Sequence, residues 1–246
     1  MPELLSVNGT VASNCAALTS IELPSLETIS GASAIASGCN GLERVVLPSL
    51  RTIFGGVVAS GGTALASIEL PAFEFLSGGA VIQGDMRNMS EIHLPAMTQT
   101  TNNGILIGDG CATRDNVCHV YLPGLGRATD RTDTPGFCRV IGNPTKALNI
   151  HVHLGNQSYE STVYLLAANE AAGSKVKEVT VERGFNTGLR IDLFTGLAKE
   201  NLTEIIDRLA DNSDKPSKQL TLGAANIAKL DEDTIALAQA KNYTIV

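Results

Sequence analysis

The chain has 246 residues, a net charge of −7 and no tryptophan, and 43% of its residues are hydrophobic. Because its lysines and arginines form no cluster, nucleic acids and anionic membrane surfaces are not expected partners. No segment approaches the ~18 consecutive apolar residues that a membrane-spanning helix requires, and residues 1–6 lack the features of a signal peptide. Neither membrane insertion nor a leader is therefore predicted.

A seven-residue motif recurs through the first half of the chain. It reads apolar, two polar, apolar, polar, apolar, proline, and its copies are residues 18–24, 42–48, 65–71, 89–95 and 117–123. The prolines follow one another at intervals of 23 to 28 residues. A period of this size is typical of a solenoid, and the alternation before each proline is typical of a strand with one buried face. The predicted fold class is a mainly β repeat solenoid.

A second apolar run follows each motif about ten residues after its proline. These runs end at a glycine and comprise residues 34–36, 57–59, 80–82, 105–107 and 139–141. Two further apolar positions, such as Leu26 and Ile29, lie between the proline and the run. We therefore expect each repeat to contribute two short strands, so that stacked repeats form two parallel ladders around a narrow core.

The first residues fit the same frame. Pro2, Leu4 and Val7 match Pro24, Leu26 and Ile29, so the chain begins inside a repeat. A bare end of a solenoid exposes core residues and unpaired backbone groups. We expect either the upstream part of a longer parent chain or another chain, in a homo-oligomer for example, to cover this edge.

The pattern becomes looser after residue 124. Residues 124–136 are expected to form a loop insertion, 152–155 and 176–181 a sixth and a seventh strand, and 158–173 a helix. The C-terminal part predicts a helix over 197–210, a repeat of the strand motif at 220–223, a helix over 231–241 capped by Asp231, and a strand over 243–246. The predicted domains are a solenoid over 1–182 and a small α/β capping repeat over 183–246.

Two columns of outward-facing residues follow from the predicted strands, because alternate side chains point away from the core. One column lies four residues before the proline position and the other lies two before it, and all four histidines fall in them. We expect this face to bind a ligand through Arg44, Val46, Glu69, Glu91, His93, His119, Tyr121, His151 and His153. Its charges are mostly glutamates, which favours a cationic or neutral ligand over an anionic one.

The histidines allow a further interpretation. Neighbouring strands lie ~4.8 Å apart, so His119, His151 and His153 are expected to be close enough to share a divalent metal ion or to change charge together near pH 6. A plain polar face is the alternative, since an open sheet surface also accommodates histidine and tyrosine. A shift of one residue at the sixth strand would instead turn His151 and His153 into the core.

Five cysteines at irregular spacing do not predict a disulfide framework. Cys15 and Cys39 occupy equivalent positions in adjacent repeats and are expected to stack as a buried pair. Cys111, Cys118 and Cys138 lack the spacing of metal ligands and are expected to be packed thiols.

The repeat Leu-x-x-Ile-x-Leu-Pro-x-Leu-x-x-Ile resembles the BspA-type leucine-rich repeats of bacterial surface proteins, clearly over residues 2–123 and loosely to about 182. Cys39 keeps the cysteine of the family's Ala-Phe-x-x-Cys segment, but the phenylalanine is missing. Residues 218–246 are similar to the C-terminal cap of leucine-rich repeat proteins of gut bacteria and phage tails. The resemblance implies an extracellular, bacterial-surface or virion location and binding of a protein or a glycan, without catalysis or a required cofactor.

Three functions remain open from the sequence. The first is a non-catalytic binding module that uses the strand face. The second is a structural or assembly protein that packs through the ends of the solenoid. The third is a metal-dependent activity at the histidines. The common nucleophile, phosphate-binding and dinucleotide-binding motifs are all missing, so no enzyme is predicted.

Overall fold

The structure, a computed structural model, describes residues 4–101, 104–109, 117–125, 136–143, 149–155 and 162–246. Within these residues it contains 22 strands in three sheets and four helices. Neighbouring strands are parallel throughout the three sheets, and most of the apolar side chains belong to one buried cluster between them. The fold is therefore a mainly parallel β structure with few helices.

Each sequence motif contributes one strand to a seven-stranded sheet. The strands lie side by side in chain order, and they are β3 (Ser20–Glu22), β6 (Arg44–Val46), β9 (Ser67–Glu69), β12 (Glu91–His93), β15 (Cys118–Leu122), β17 (Ile150–Leu154) and β19 (Val176–Val181). The predicted strands before the prolines are thus confirmed, as are the sixth and seventh strands. Their central apolar residues, such as Ile68 and Ile92, are fully buried.

The second apolar run forms a ten-stranded sheet. Its strands, again in chain order, are β2 (Ala12–Ser13), β5 (Ala34–Ser37), β8 (Val57–Ser60), β11 (Ala80–Gln83), β14 (Ile105–Ile107), β16 (Gly136–Ile141), β18 (Thr162–Ala167), β20 (Gly188–Arg190), β21 (Lys218–Thr221) and β22 (Tyr243–Ile245). The strand predicted at 220–223 therefore lies in this sheet, and not in the sheet that the seven-residue motifs form. The C-terminal strand is confirmed.

The helix predicted over 158–173 is wrong for most of the part that the structure describes. Residues 162–167 form strand β18, and only Glu170–Gly173 are helical, as α1. Val163, Leu165 and Ala167 are buried while Tyr164 and Leu166 between them are partly exposed, which is the period of a strand. The spacing of Val163 and Leu166 also fits a helix, and pairing with β16 decides between the two.

A third ladder was not predicted. It is a five-stranded sheet of β1 (Ser6–Val7), β4 (Thr28–Ser30), β7 (Thr52–Phe54), β10 (Phe75–Ser77) and β13 (Gln99–Thr101). Each of these strands has two or three residues, and one residue of each is buried. So short a strand shows no alternation, so the sequence did not predict the pairing. Its apolar positions at Val7, Ile29, Ile53 and Leu76 were predicted, but Thr100 of β13 was not.

The frame of the first repeat is confirmed from residue 4 onward. Val7 pairs in register with Ile29, and Ala12 pairs with Ala36. Met1 and Pro2, which also entered that prediction, lie outside the described residues.

The C-terminal part closes the seven-stranded sheet with a helix in place of an eighth strand. Helix α2 (Lys199–Arg208) packs on β19, and its Leu202, Ile205 and Ile206 are buried. Asn201 of α2 donates to the carbonyl oxygen of Val179 and accepts from its backbone N–H, both at 3.0 Å. One amide side chain therefore pairs with the edge strand as a further strand would.

Two shorter helices complete this part, α3 (Ala224–Ile227) and α4 (Glu232–Ala240). The predicted cap of α4 is confirmed, because the Asp231 carboxylate accepts from the backbone N–H of Thr234 at 2.8 Å. The predicted helices over 197–210 and 231–241 are thus present with slightly shorter bounds. In the part of the chain that the structure describes, no helix is long and apolar enough to cross a membrane.

The cysteines are free thiols in the described residues. Cys118 and Cys138 are fully buried, and burial raises the pKa of both, that of Cys118 to about 12. The expected buried pair of Cys15 and Cys39 is wrong for one member. Cys39 is buried, whereas Cys15, which follows the outermost strand β2 of its sheet, is exposed. Cys111 lies outside the described residues.

Candidate functional site

The outer face of the seven-stranded sheet carries the two predicted columns in the predicted register. The first column is Ser20, Arg44, Ser67, Glu91, His119, His151 and Glu178, and the second is Glu22, Val46, Glu69, His93, Tyr121, His153 and Thr180. His151 and His153 lie on the partly exposed side of β17, so the inward alternative is excluded. The register prediction is confirmed, and binding of a ligand by these residues stays a prediction.

Three rings of the second column form a stack. The ring centroid of Tyr121 lies 4.4 Å from that of His93 and 4.6 Å from that of His153, with interplanar angles of 15° and 18°. The parallel register brings the rings together, since each strand places its side chain beside the one before it. The rings cover one another's faces, so the phenol oxygen, the imidazole nitrogens and the ring edges are what the stack offers to a ligand.

A chain of hydrogen bonds joins the two columns. His119 Nδ1 lies 2.8 Å from His153 Nε2, and His153 Nδ1 lies 2.6 Å from Thr180 Oγ1. A neutral imidazole has one donor and one acceptor nitrogen, which suits such a chain. If both histidines were protonated, two donors would face each other and the contact between them would be lost. At least one of the two rings is therefore neutral in this contact.

The surroundings of the histidines favour the same state. Burial lowers the pKa of His153 below its ordinary value of 6.5, and the nearby His119 lowers it further. Burial also lowers the pKa of His151, although the Glu178 carboxylate 3.2 Å from its Nδ1 opposes this effect. Both rings therefore take up a proton at a lower pH than they would in solvent.

The predicted metal site at His119, His151 and His153 is not formed in this arrangement. Among the described residues, no group of three or more histidines, cysteines or carboxylates is placed to hold one ion. Two nitrogens bound about 2.0–2.1 Å from one tetrahedral zinc are about 3.3 Å apart, whereas His119 and His153 bond directly at 2.8 Å. The outer nitrogens are also engaged, by Thr180 for His153 and by Glu178 for His151.

An ion pair and a histidine–carboxylate contact lie along the same face. Arg44 Nε lies 3.2 Å from Glu69 Oε1 on the neighbouring strand, and His93 Nε2 lies 3.0 Å from Glu91 Oε2. These side chains are about half exposed, so the pairs contribute little to stability. They are accordingly free to exchange partners with a ligand.

A groove runs beside the stack, between the second column and the row of prolines. One part of about 320 Å³ is lined by His93, Pro95, Tyr121, Pro123, His153, Leu154, Gly155, Thr180, Val181, Glu182 and Arg208. A second part of about 270 Å³ is lined by Glu69, Leu70, Pro71, His93 and Pro95. The two parts share His93 and Pro95 and are therefore adjacent.

Several groove residues were missed from the sequence. The sequence predicted the prolines only as the ends of strands. They line one wall of the groove because each proline follows an outward-facing residue of the second column by two positions. That spacing is visible in the motif and would have indicated the wall. Arg208 comes from α2, and no sequence signal places a helix residue beside the sheet.

A second aromatic cluster lies on the ten-stranded sheet. Phe137 and Tyr164 stack at 4.6 Å, and the Arg190 guanidinium lies 5.9 Å from the centre of the Tyr164 ring. Arg190 is held by Asp192 at 2.9 Å. The cluster lies on a different sheet from the histidines and provides a comparison surface for the first face.

A scan of protein-family models and searches of curated proteins and of solved structures found no match to this chain. Any functional conclusion therefore depends on the geometry and chemistry of the face itself.

Proposed function

We propose that the protein is a non-catalytic binding module. Its repeats would form a leucine-rich repeat solenoid of the BspA type, displayed on a bacterial surface or on a virion, and the outer face of the seven-stranded sheet would bind a protein or a glycan. The observation that carries the proposal is the stack of His93, Tyr121 and His153 along a groove that crosses several strands.

The arrangement suits recognition. A tyrosine held between two imidazoles has lost its side-chain freedom before a ligand arrives, so binding would cost less conformational entropy. Tyrosine is also a frequent anchor at interfaces because it combines apolar area with a hydroxyl. The groove supplies an apolar wall of prolines opposite a row of polar groups, which is the usual composition of a ligand site.

The test is a binding screen on arrays of glycans and cell-surface proteins. The wild-type protein is compared with Tyr121→Ala, and Phe54→Ala serves as the matched control because Phe54 is 48% exposed on the five-stranded sheet. We expect Tyr121→Ala to weaken the binding of any ligand found by about tenfold or more, as loss of an anchor residue does. Equal affinities for the wild type and Tyr121→Ala would contradict the proposal, provided that both unfold at the same temperature.

An assembly role is the second candidate. The first strands of all three sheets, β1, β2 and β3, come from residues 6–22 and have a paired neighbour on one side within the described part of the chain. Unpaired strand edges are templates for pairing with another chain. Light scattering over a range of concentrations tests this role: a defined oligomer that Ser20→Pro in β3 disrupts favours it, and a monomer at every concentration excludes it for this chain.

A further inference from the structure

The groove crosses the strands instead of following one of them. Its lining includes successive rungs of the second column, from Glu69 through His93, Tyr121 and His153 to Thr180. Five rungs at a spacing of ~4.8 Å span about 19 Å. An extended chain that rises ~3.3 Å per residue covers that distance with about six residues. The shape fits a linear ligand better than a compact one.

The charge of the face has a definite sign. Its two columns contain four glutamates, Glu22, Glu69, Glu91 and Glu178, and one arginine, Arg44. With neutral histidines, four negative charges against one positive charge leave −3. At the end of the groove Glu182 and Arg208 contribute one charge of each sign. The ligand that fits this field is a cation.

The hydrogen-bonding groups agree with the charge. Carboxylates accept hydrogen bonds and donate none, and the Tyr121 hydroxyl oxygen can accept a further one. Lysine and arginine side chains donate and accept none, so they match a row of acceptors. A sugar would gain most from stacking on a ring face, but in the column the faces of Tyr121 are covered by His93 and His153.

We propose that the ligand of this face is an extended peptide segment rich in lysine or arginine, lying across the strands between the proline row and the aromatic stack. The proposal rests on the proposed binding function and narrows it to one class of ligand. The apolar wall of Pro71, Pro95 and Pro123 contacts the peptide backbone and the aliphatic stems of the side chains, while the glutamates receive the cationic ends.

Acid pH opposes this binding. Each proton that His151 or His153 takes up cancels one negative charge of the face, and burial lowers the pKa of both rings below the ordinary value of 6.5. A cationic peptide should therefore bind more weakly as the pH falls below 6.5. The charged and titratable groups around the histidines are Glu91, Tyr121, Glu178, Glu182 and Arg208.

The experiment is a titration of the full chain with a fluorescent, end-blocked eight-residue peptide of alternating lysine and serine. A glutamate–serine peptide and a neutral hexasaccharide are the comparison probes. We expect the lysine peptide alone to bind saturably at pH 7.5, with an affinity that declines as the pH is lowered stepwise below 6.5. Glu69→Gln and Glu91→Gln are each expected to weaken it by about two- to fivefold, the range for one exposed charge pair.

Glu27→Gln is the matched control, because Glu27 is an exposed glutamate beside the five-stranded sheet and carries the same charge. If Glu27→Gln weakens binding as much as Glu69→Gln, the net charge of the chain explains the attraction and the inference is overturned. If the hexasaccharide or the acidic peptide binds through Tyr121 instead, the inference fails while the binding function stands. If none of the three probes binds, the assignment of a cationic peptide is wrong, and the array screen still decides the binding function.

Discussion

Replacing Asn201 by alanine tests whether its side-chain amide pairs with the edge strand of the seven-stranded sheet. Its side chain is 8% exposed and holds the backbone N–H and carbonyl of Val179 at 3.0 Å each. In Asn201→Ala both backbone groups lose this partner at a position that α2 buries. Each unpaired buried group costs about 1–3 kcal/mol, so the variant should lose about 2–6 kcal/mol of unfolding free energy.

The assay combines urea unfolding with hydrogen exchange at the Val179 amide. We expect the midpoint of unfolding to fall and the Val179 amide to exchange much faster in Asn201→Ala than in the wild type. Glu200→Ala, one residue earlier on the exposed side of α2, is the control and should cost less than about 1 kcal/mol. Equal midpoints for the two variants, with Val179 still protected, would refute the view that one amide closes the edge strand.

Three further predictions concern stability and reactivity. Because burial lowers the pKa of His151 and His153 below 6.5, the unfolded chain takes up these protons first as the pH falls. Their contribution to the unfolding free energy should be fully present above pH 6.5 and should be lost below it, so the melting temperature should fall less in acid for the double variant His151→Gln/His153→Gln. Gly79 has φ +69° and a Cβ there would overlap a backbone carbonyl, so Gly79→Ala should lower the melting temperature more than Gly61→Ala, whose Cβ meets open space at φ +63°; equal losses would contradict this. A maleimide at pH 7.5 should label Cys15 in the folded protein and should leave the buried thiols of Cys39, Cys118 and Cys138 unlabelled until the protein unfolds. Labelling of these buried thiols in the folded protein would contradict the prediction.

The repeat made most of the seven-stranded sheet predictable. Its strands, their order and the two outward columns follow from one motif, because period-two alternation next to a proline fixes both the strand and the side that faces out. The register at His151 and His153 was predictable for the same reason, since turning two polar rings into the core has a high cost. Strands as short as Thr28–Ser30 have one buried residue each, so the third sheet could not be recognised.

The parts of the site that depend on rotamers were not predictable. Adjacent histidines suggested a shared metal ion, but the choice between coordination and a hydrogen bond from His119 to His153 depends on ring orientation. The sequence also did not show that Arg208 lines the groove. Arg208 lies on helix α2, 27 residues after Val181, and its guanidinium donates to the Val181 carbonyl oxygen at 3.0 Å. The helix prediction over 158–173 was wrong because the spacing of Val163 and Leu166 fits the period of a helix as well as that of a strand.

The most direct test of the central claim uses the four histidines as reporters, since all of them lie on the proposed binding face. Histidine ring signals are followed by NMR while the lysine–serine peptide, or a ligand found by the array screen, is added. We expect the ring signals of His93, His119 and His153 to shift saturably with one dissociation constant, while the ring signals of Phe54 and Phe137 on the other two sheets stay unchanged. Saturable binding that leaves the histidine signals unchanged would place the site elsewhere and contradict the claim.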